Sequence, residues 1–423
     1  MPSSASISRR TGLRASAGVV GSLVLPKEGG ADSRGRPLSR VKAGLLITGQ
    51  SNAGFFLADG GTWILNKGLS SLLGIAEADF DPRLNGFRTI GGYALGEGAH
   101  NNPSMATTFG GTPLWAPGDE GAFLTHRSGT DPSRWQPGST GRSLDRFVRD
   151  LLTARDRAEC LGILWIHTEN DSQTKRTGDT ATHAAAIRRH LALIRAAFGR
   201  PASGPDELPA YGWAPIPYGN SAEGHRTVRA ALAAVIADPA QNFRLALPQT
   251  GDSEARDGKD WSHRDAADLR IFARRAAYAV ARHHRERHGL GTAALPGPGP
   301  RISLIRAESP TSTLVTVQHD RGRRLKASAA AHDGRGWSIF DRGEQRAVTA
   351  MELKTADQIL IRHEACTGDL QRRSLGYCLN GEQVGRGNAV TDDWSRHASS
   401  IPGLDQEWQI DFPLQASLLP VGT

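Results

Sequence analysis

The stretch Gly44-Leu45-Leu46-Ile47-Thr48-Gly49-Gln50-Ser51-Asn52-Ala53 joins an apolar run to a polar corner. Val41 to Thr48 is predicted to be a buried strand, and Gly49 ends it. The residues that follow put a hydroxyl between two amides, Gln50 and Asn52. A serine hydroxyl at the end of a central strand is exposed and held by rigid scaffold, so Ser51 is a candidate nucleophile. The same residues also suit a polar turn that simply leaves a strand, and the rest of the chain has to decide.

Working outward, Phe87 to Ile90 reads as a second short strand running into Gly91-Gly92. Glycine at a strand end lets backbone approach a ligand closely, so its N–H can point at a bound oxygen. Residues 55–85 carry helical spacing broken by glycines. His100 to Ser139 is a long stretch rich in Gly, Pro, Asn and Trp, read as one wall of a substrate cleft. Trp115 and Trp135 in it are either sugar-stacking platforms or packed loop aromatics. After a helix over Gly141 to Arg157, the strand Leu161 to Ile166 delivers His167-Thr168-Glu169-Asn170-Asp171 onto a loop. The Asn170 amide there can donate to an oxyanion, or Asn170 and Asp171 can cap the next helix. Helix, strand, helix and strand follow at Asp179 to Phe198, Tyr211 to Ile216, His225 to Ala237 and Phe243 to Leu247. That alternation predicts an α/β domain with a mostly parallel sheet and helices on both faces.

Beyond the fifth strand, Asp260 and His263 stand three apart on a loop that leads into a helix over Arg264 to Arg287. The spacing lets the carboxylate hold the imidazole and leaves the far nitrogen free to take a proton. His284 and His288 on that helix, among Arg and Glu, read as a solvated helix end rather than a metal pair.

The 423 residues suffice for two domains with real cores. Gly289 to Pro300 is a linker by composition, and the short alternating runs after it predict an all-β sandwich. The expected layout is a leader and lead-in at 1–40, a catalytic domain at 41–288, the linker at 289–300 and a β domain at 301–423. Ser8-Arg9-Arg10-Thr11-Gly12-Leu13-Arg14 and the apolar run Ala15 to Leu25 look like a twin-arginine export signal, which implies a periplasmic or secreted protein. A basic tail on a cytoplasmic protein is the alternative. The apolar run is too short to span a bilayer, so no membrane insertion is expected. The net charge of +8 favours acidic partners such as an anionic polysaccharide or a membrane surface. Nucleic acid is disfavoured, because the arginines are dispersed and no nucleic-acid motif is present. Cys366 and Cys378 are close enough in sequence to bridge neighbouring strands, with Cys160 left over. The absence of a paired Cys-x-x-Cys spacing argues against a structural zinc site, and the absence of a glycine-rich nucleotide loop removes the common nucleotide readings.

Four chemically complementary blocks thus fall at strand ends, which in an open parallel sheet line one crevice. In this order they resemble the SGNH (GDSL-like) hydrolase superfamily, and within it the sialate O-acetylesterase-like carbohydrate esterases. Gly49-Gln50-Ser51-Asn52 is similar to the first block of that family, Gly91-Gly92 to its glycine block, Thr168-Glu169-Asn170-Asp171 to its Gly-x-Asn-Asp block and Asp260-Trp261-Ser262-His263 to its Asp-x-x-His block. The resemblance covers Val41 to His283. It implies a flavodoxin-like three-layer α/β/α sandwich and a serine esterase that removes O-acetyl groups from a carbohydrate or polysaccharide. Ser51, Asp260 and His263 are the implied triad, and with the serine mechanism that this implies neither a metal nor an organic cofactor is expected. Ser51, Gly91, Gly92 and Asn170 are the implied oxyanion hole, and Gln50, Asn52, His167, Glu169 and Asp171 are expected to face substrate. A lipase-like esterase or a sugar O-acetyltransferase would use the same triad, and a glycan-binding protein with a degenerate site is the reading from another class. Two departures from the family pattern stand out. His167-Thr168-Glu169 replaces the usual Gln-Gly-Glu, and Gly110-Gly111-Thr112-Pro113 is a second candidate for the glycine block. The β domain, with Asn388 to Asp393 near its end, looks like an accessory domain appended to some relatives.

Overall fold

Leu45 and Ile47 of strand β1 (Gly44–Gly49) pack into one hydrophobic core and Leu46 into another. That is what the period of two along a strand requires of a sheet covered on both faces. The structure is a computed structural model and describes residues 44–49, 51–73, 88–94, 108–109, 112–113, 160–166, 172, 179–217, 222–258, 260–292, 295–367, 373–379 and 384–421. The leader, Trp115, Trp135 and the helix expected at 141–157 lie outside the described residues.

Strand β2 (Arg88–Ala94) pairs with one edge of β1. A small hairpin of β3 (Thr108–Phe109) and β4 (Thr112–Pro113) forms a separate two-stranded sheet next to β2. On the other side of β1 come β5 (Cys160–Ile166), β6 (Ala210–Trp213) and β7 (Phe243–Leu247), all parallel, giving the order β2-β1-β5-β6-β7. Ranked by position in the chain, these five run 2-1-3-4-5. The direction of winding therefore reverses between β1 and β5, the point at which open sheets of this kind bind their ligands.

The faces alternate along each strand. Leu164, Ile166, Tyr211 and Trp213 join Leu45 and Ile47 beneath helices α1 (Ser51–Ala58) and α2 (Gly61–Leu72). Ile163, Trp165 and Ala210 join Leu46 on the opposite face, beneath α3 (Thr180–Ala197) and α4 (Ala222–Ile236). The last helix of this half, α5 (Ala266–Arg287), returns to the first face through Leu269, Phe272, Ala276 and Val280. The result is the mixed α/β architecture predicted, a parallel sheet between two helical layers. Between β7 and α5 lies a hairpin of β8 (Ala255–Arg256) and β9 (Asp260–Arg264).

Residues 51–73 form two helices where the sequence shows broken helical spacing. The glycines that break the period serve the junctions. Gly60 takes φ 85° between α1 and α2. Gly68 admits the indole of Trp408, since a Cβ there would stand 2.0 Å from a ring carbon.

The C-terminal half has two four-stranded antiparallel sheets. One contains β10 (Arg301–Ser309), β11 (Ser312–Gln318), β14 (Val348–Leu353) and β15 (Gln358–His363) in the order β10-β11-β15-β14. The other contains β12 (Trp337–Asp341), β13 (Glu344–Arg346), β16 (Arg373–Tyr377) and β17 (Ser417–Pro420) in the order β13-β12-β16-β17. Ile305, Val315, Ile359 and Ile361 of the first meet Ile339, Leu375 and Tyr377 of the second in one core, the packing of a sandwich. Residues 394–412 leave it. Trp394, Ile401, Trp408 and Phe412 belong instead to the core beneath α2 and α5. There Tyr278 donates its hydroxyl to the Trp408 carbonyl at 2.8 Å and packs edge-on against the rings of Trp394, Trp408 and Phe412.

Two expectations are corrected. Cys366 and Cys378 are not bridged, and all three cysteines are free and buried. Cys366 follows β15 and Cys378 follows β16, which belong to different sheets, so the two are not neighbours on one ladder. His284 is also no solvated helix end, since it is only 3% exposed. The Tyr211 hydroxyl lies 2.7 Å from Nδ1 of the adjacent buried His283. Burial, and then the nearby Arg244 and Arg287, lower the His283 pKa to about 3. Burial lowers that of His284 to about 3 as well, with His283 and His288 acting in the same direction.

Unfolded histidines bind protons below about pH 6.5 and these folded ones do not, so stability is full above that pH and is lost as pH falls toward 3. At pH 5 each histidine should cost about 2 kcal/mol. The melting temperature is expected to fall steeply between pH 6.5 and 4, and less steeply in His284→Phe. Parallel curves for the two proteins would remove this pair as the cause.

Candidate active site

Gly49 ends β1 because nothing larger fits there. A Cβ would stand 2.2 Å from the Ile166 carbonyl oxygen and 2.4 Å from the Ala53 Cβ. The carboxyl ends of β1 and β5 and the first turn of α1 therefore converge where the winding reverses. Ser51 is the first residue of α1 rather than part of a polar turn. The opening backbone N–H groups of a helix have no partner within it and carry the positive end of its dipole, a setting that favours negative charge.

His263 arrives from the other end of the domain. It sits on β9, in a hairpin and not in the open loop that the sequence suggests. A regular strand places residues three apart on opposite faces. This one is irregular, because the pairing jumps from Arg256↔Asp260 to Ala255↔Arg264. A bulge between Asp260 and His263 is the kind of feature that re-aims side chains.

Several contacts join the hairpin to α1. Asn52, fully buried, accepts the Arg264 backbone N–H on its Oδ1 at 3.1 Å. The residue after the serine is thus bonded to the residue after the histidine. The ring of Phe55 meets that of His263 edge to face with centroids 4.8 Å apart. Positions 51 and 55 are one helical turn apart and share a face of α1. Behind Phe55, the Arg256 guanidinium lies 4.0 Å from its ring centroid and pairs with Asp59 at 2.6 Å.

The β domain braces the same hairpin. The Val384 and Gly385 N–H groups both donate to the Gly251 carbonyl, at 2.8 and 3.0 Å. The Arg386 N–H donates to Glu254 Oε1 at 2.7 Å, and its Nε donates to Asp268 Oδ1 at 2.7 Å. Asp268 is buried and accepts the Glu254 N–H on its other oxygen at 2.6 Å. Asp265 caps α5 by accepting from the Ala267 N–H at 2.8 Å. Nearby, Asp252 and Arg275 form a buried ion pair at 2.7 Å.

The structure therefore brings together the elements that carry Ser51 and His263. It places Gly91 and Gly92 inside β2 rather than after it, with Gly92 beside Ile47 and Ala94 beside Gly49. The ladder with β1 shifts register just there, from Leu45↔Thr89 to Ile47↔Gly92, so an irregularity falls at the glycines before pairing resumes. Asn52, expected to face substrate, is instead the buried latch to Arg264. Gln50, His167, Thr168, Glu169, Asn170 and Asp171 lie outside the described residues, as do Gly110, Gly111 and the side chains of Ser51 and Asp260. The strand leading to that third block is present as β5, and the next described residue, Ser172, is buried with its Oγ 3.2 Å from His225 Nε2.

Phe55, Arg256 and Arg386 were not singled out from sequence. Phe55 carried a signal in its spacing of four from Ser51, legible once α1 is known to be a helix. Arg256 and Arg386 carried none, because their partners are about 200 and 118 residues away. Among the described residues no group of three His, Cys, Asp or Glu side chains is placed to hold a metal ion. No helix there is long and apolar enough to cross a membrane.

No protein-family model matches the sequence, and no curated protein matches it. Among solved structures, the N-terminal part of the bacterial S-layer protein SbsC is 12% identical, with 66% of this chain and 43% of that one covered and a TM-score of 0.19. Domains 1-6 of the same surface layer protein are 15% identical, with 36% and 16% covered and a TM-score of 0.17. The chain thus spans less than half the length of these structures, and likeness at such TM-scores carries no argument about fold or function.

Proposed function

We propose that this protein is a serine esterase of the SGNH type that removes O-acetyl groups from a carbohydrate or polysaccharide. The observation that carries the reading is the bond from Asn52 Oδ1 to the Arg264 N–H, which ties together the neighbours of Ser51 and His263 across 212 residues of chain. The 2-1-3-4-5 sheet supports it, being the flavodoxin-like order in which ligands bind at the switch point.

In this reading His263, oriented by Asp260, takes the Ser51 hydroxyl proton as Oγ attacks the acetyl carbonyl carbon. The oxyanion is held by backbone N–H groups at the start of α1 and in the Gly91-Gly92 segment, and by the Asn170 amide. Collapse expels the sugar oxygen, which receives the proton from His263. Water, deprotonated by His263, then attacks the acyl-serine and releases acetate.

A fluorophosphonate probe tests the nucleophile. Wild type should label stoichiometrically and Ser51→Ala not at all. A folded wild type that stays unlabelled removes the serine mechanism, and a labelled Ser51→Ala moves the nucleophile elsewhere.

A further inference from the structure

Trp63 is the one aromatic among the exposed large hydrophobic side chains of the described residues, at 52% exposure. It stands on α2 at the mouth of a cavity of about 360 Å³ between the α/β half and the returning segment 394–412. Around it are three carboxylates, Asp59, Asp405 and Glu407, and three bases, Lys67, Arg270 and Arg274. Their charges balance, although the whole chain carries +8. Lys67 bonds Asp405 at 3.1 Å and stands 5.4 Å from the Trp63 ring centroid. Arg274 pairs with Glu407, and Arg270 donates to the Asp59 carbonyl at 3.1 Å.

We infer that this cavity is a carbohydrate subsite that takes a neutral pyranose chain, with Trp63 as its stacking platform. The axial C–H groups of such a sugar present an apolar, slightly positive face that suits the negative π-face of an indole. Its hydroxyls can both donate and accept, and so suit a rim of interleaved carboxylates, ammonium and guanidinium groups. The carboxylates of the Lys67 and Arg274 pairs are more than half exposed, and ion pairs so open to water contribute little to stability, so turning those carboxylates toward hydroxyls costs little. With three carboxylates against three bases in the lining and Arg256 behind Asp59, an excess of one positive charge gives an anionic polymer little electrostatic advantage.

The place of the cavity rests on the esterase reading. Contacts run without a break from His263 to Phe55, to Arg256 and to Asp59, which lines the cavity. The eight residues of α1 separate it from Ser51 by about 12 Å of helix rise. That is farther than one pyranose ring reaches, so only an oligomeric substrate fills both places.

Two measurements test the inference. Migration of the Ser51→Ala protein in native gels containing acetylated xylan or acetylated glucomannan should be retarded by at least one of them. Adding Trp63→Ala should weaken that retardation about tenfold. Alginate should cause no retardation that depends on Trp63. In turnover, wild type and Trp63→Ala should hydrolyse 4-nitrophenyl acetate equally, while KM for the retarding polysaccharide rises about tenfold with kcat little changed. No retardation by either neutral polymer, retardation indifferent to Trp63, or an equal loss on the small ester would overturn the subsite. If wild type turns over neither ester, the esterase reading fails, and the gels still judge the cavity. Trp63 is half exposed, so its truncation leaves the core intact.

Discussion

His263→Ala should lower kcat for acetate release by at least about ten-thousandfold, with KM changed little, because a serine hydroxyl without its base is a poor nucleophile at neutral pH. The variant is expected to fold. The bond that docks the hairpin on α1 uses the Arg264 backbone N–H and the buried Asn52 side chain, and neither is altered. The ring lost is partly exposed and packs edge to face against Phe55. The residual rate should reflect the oxyanion donors and binding alone. Acetate measured from an acetylated polysaccharide, beside the melting temperature of both proteins, gives the comparison. A folded variant that keeps more than a tenth of the rate would mean that the base is another residue.

Arg275→Met should destabilise the protein by about 3–5 kcal/mol, because it strands the Asp252 carboxylate in the interior. Asp252 is 5% exposed and pairs with Arg275 at 2.7 Å. Burial already raises the Asp252 pKa, against the opposing pull of Arg275. Without the guanidinium the carboxyl should be raised further, so the folded state holds a proton that the unfolded state releases. Stability of the variant should then improve as pH falls toward the ordinary carboxylate range, up to the limit set by His283 and His284. Adding Asp252→Leu to Arg275→Met should restore most of the loss, since a well-packed apolar pair often matches a buried ionic one. Urea titrations of the two variants at pH 7 and pH 5.5 measure both effects. A double variant no more stable than Arg275→Met would place the damage in packing. Because Asp252 stands in the segment that leads to β8 and β9, Arg275→Met should also slow turnover.

The α/β layering was legible because its strands are buried on both faces and read as unbroken apolar runs, and because helix and strand periods alternate cleanly from Leu161 onward. The sandwich was legible for the opposite reason, as its short strands alternate. What escaped depends on distant partners. Gly68 looks like a helix breaker until Trp408 is set against it, and the segment 394–412 reads as part of the β domain because no local period reveals which core it joins. The cysteine bridge failed because spacing along the chain says nothing about which of two sheets a strand enters. At the site, Ser51 and His263 were visible as residue types at strand ends. The role of Asn52 was not, since an amide beside a serine looks the same whether it meets a substrate or a backbone N–H.

The segment 394–412 bears on the order in which the protein is made. Trp394, Ile401, Trp408 and Phe412 complete the core beneath α2 and α5, so that core cannot close until residue 412 has been synthesised. Until then the newborn chain carries an open apolar face over α2 and α5, the kind of surface that engages chaperones and aggregates when crowded. Synthesis of every strand of the β domain except β17 thus precedes completion of the half that holds Ser51, and activity should emerge only after the segment through residue 412 is present.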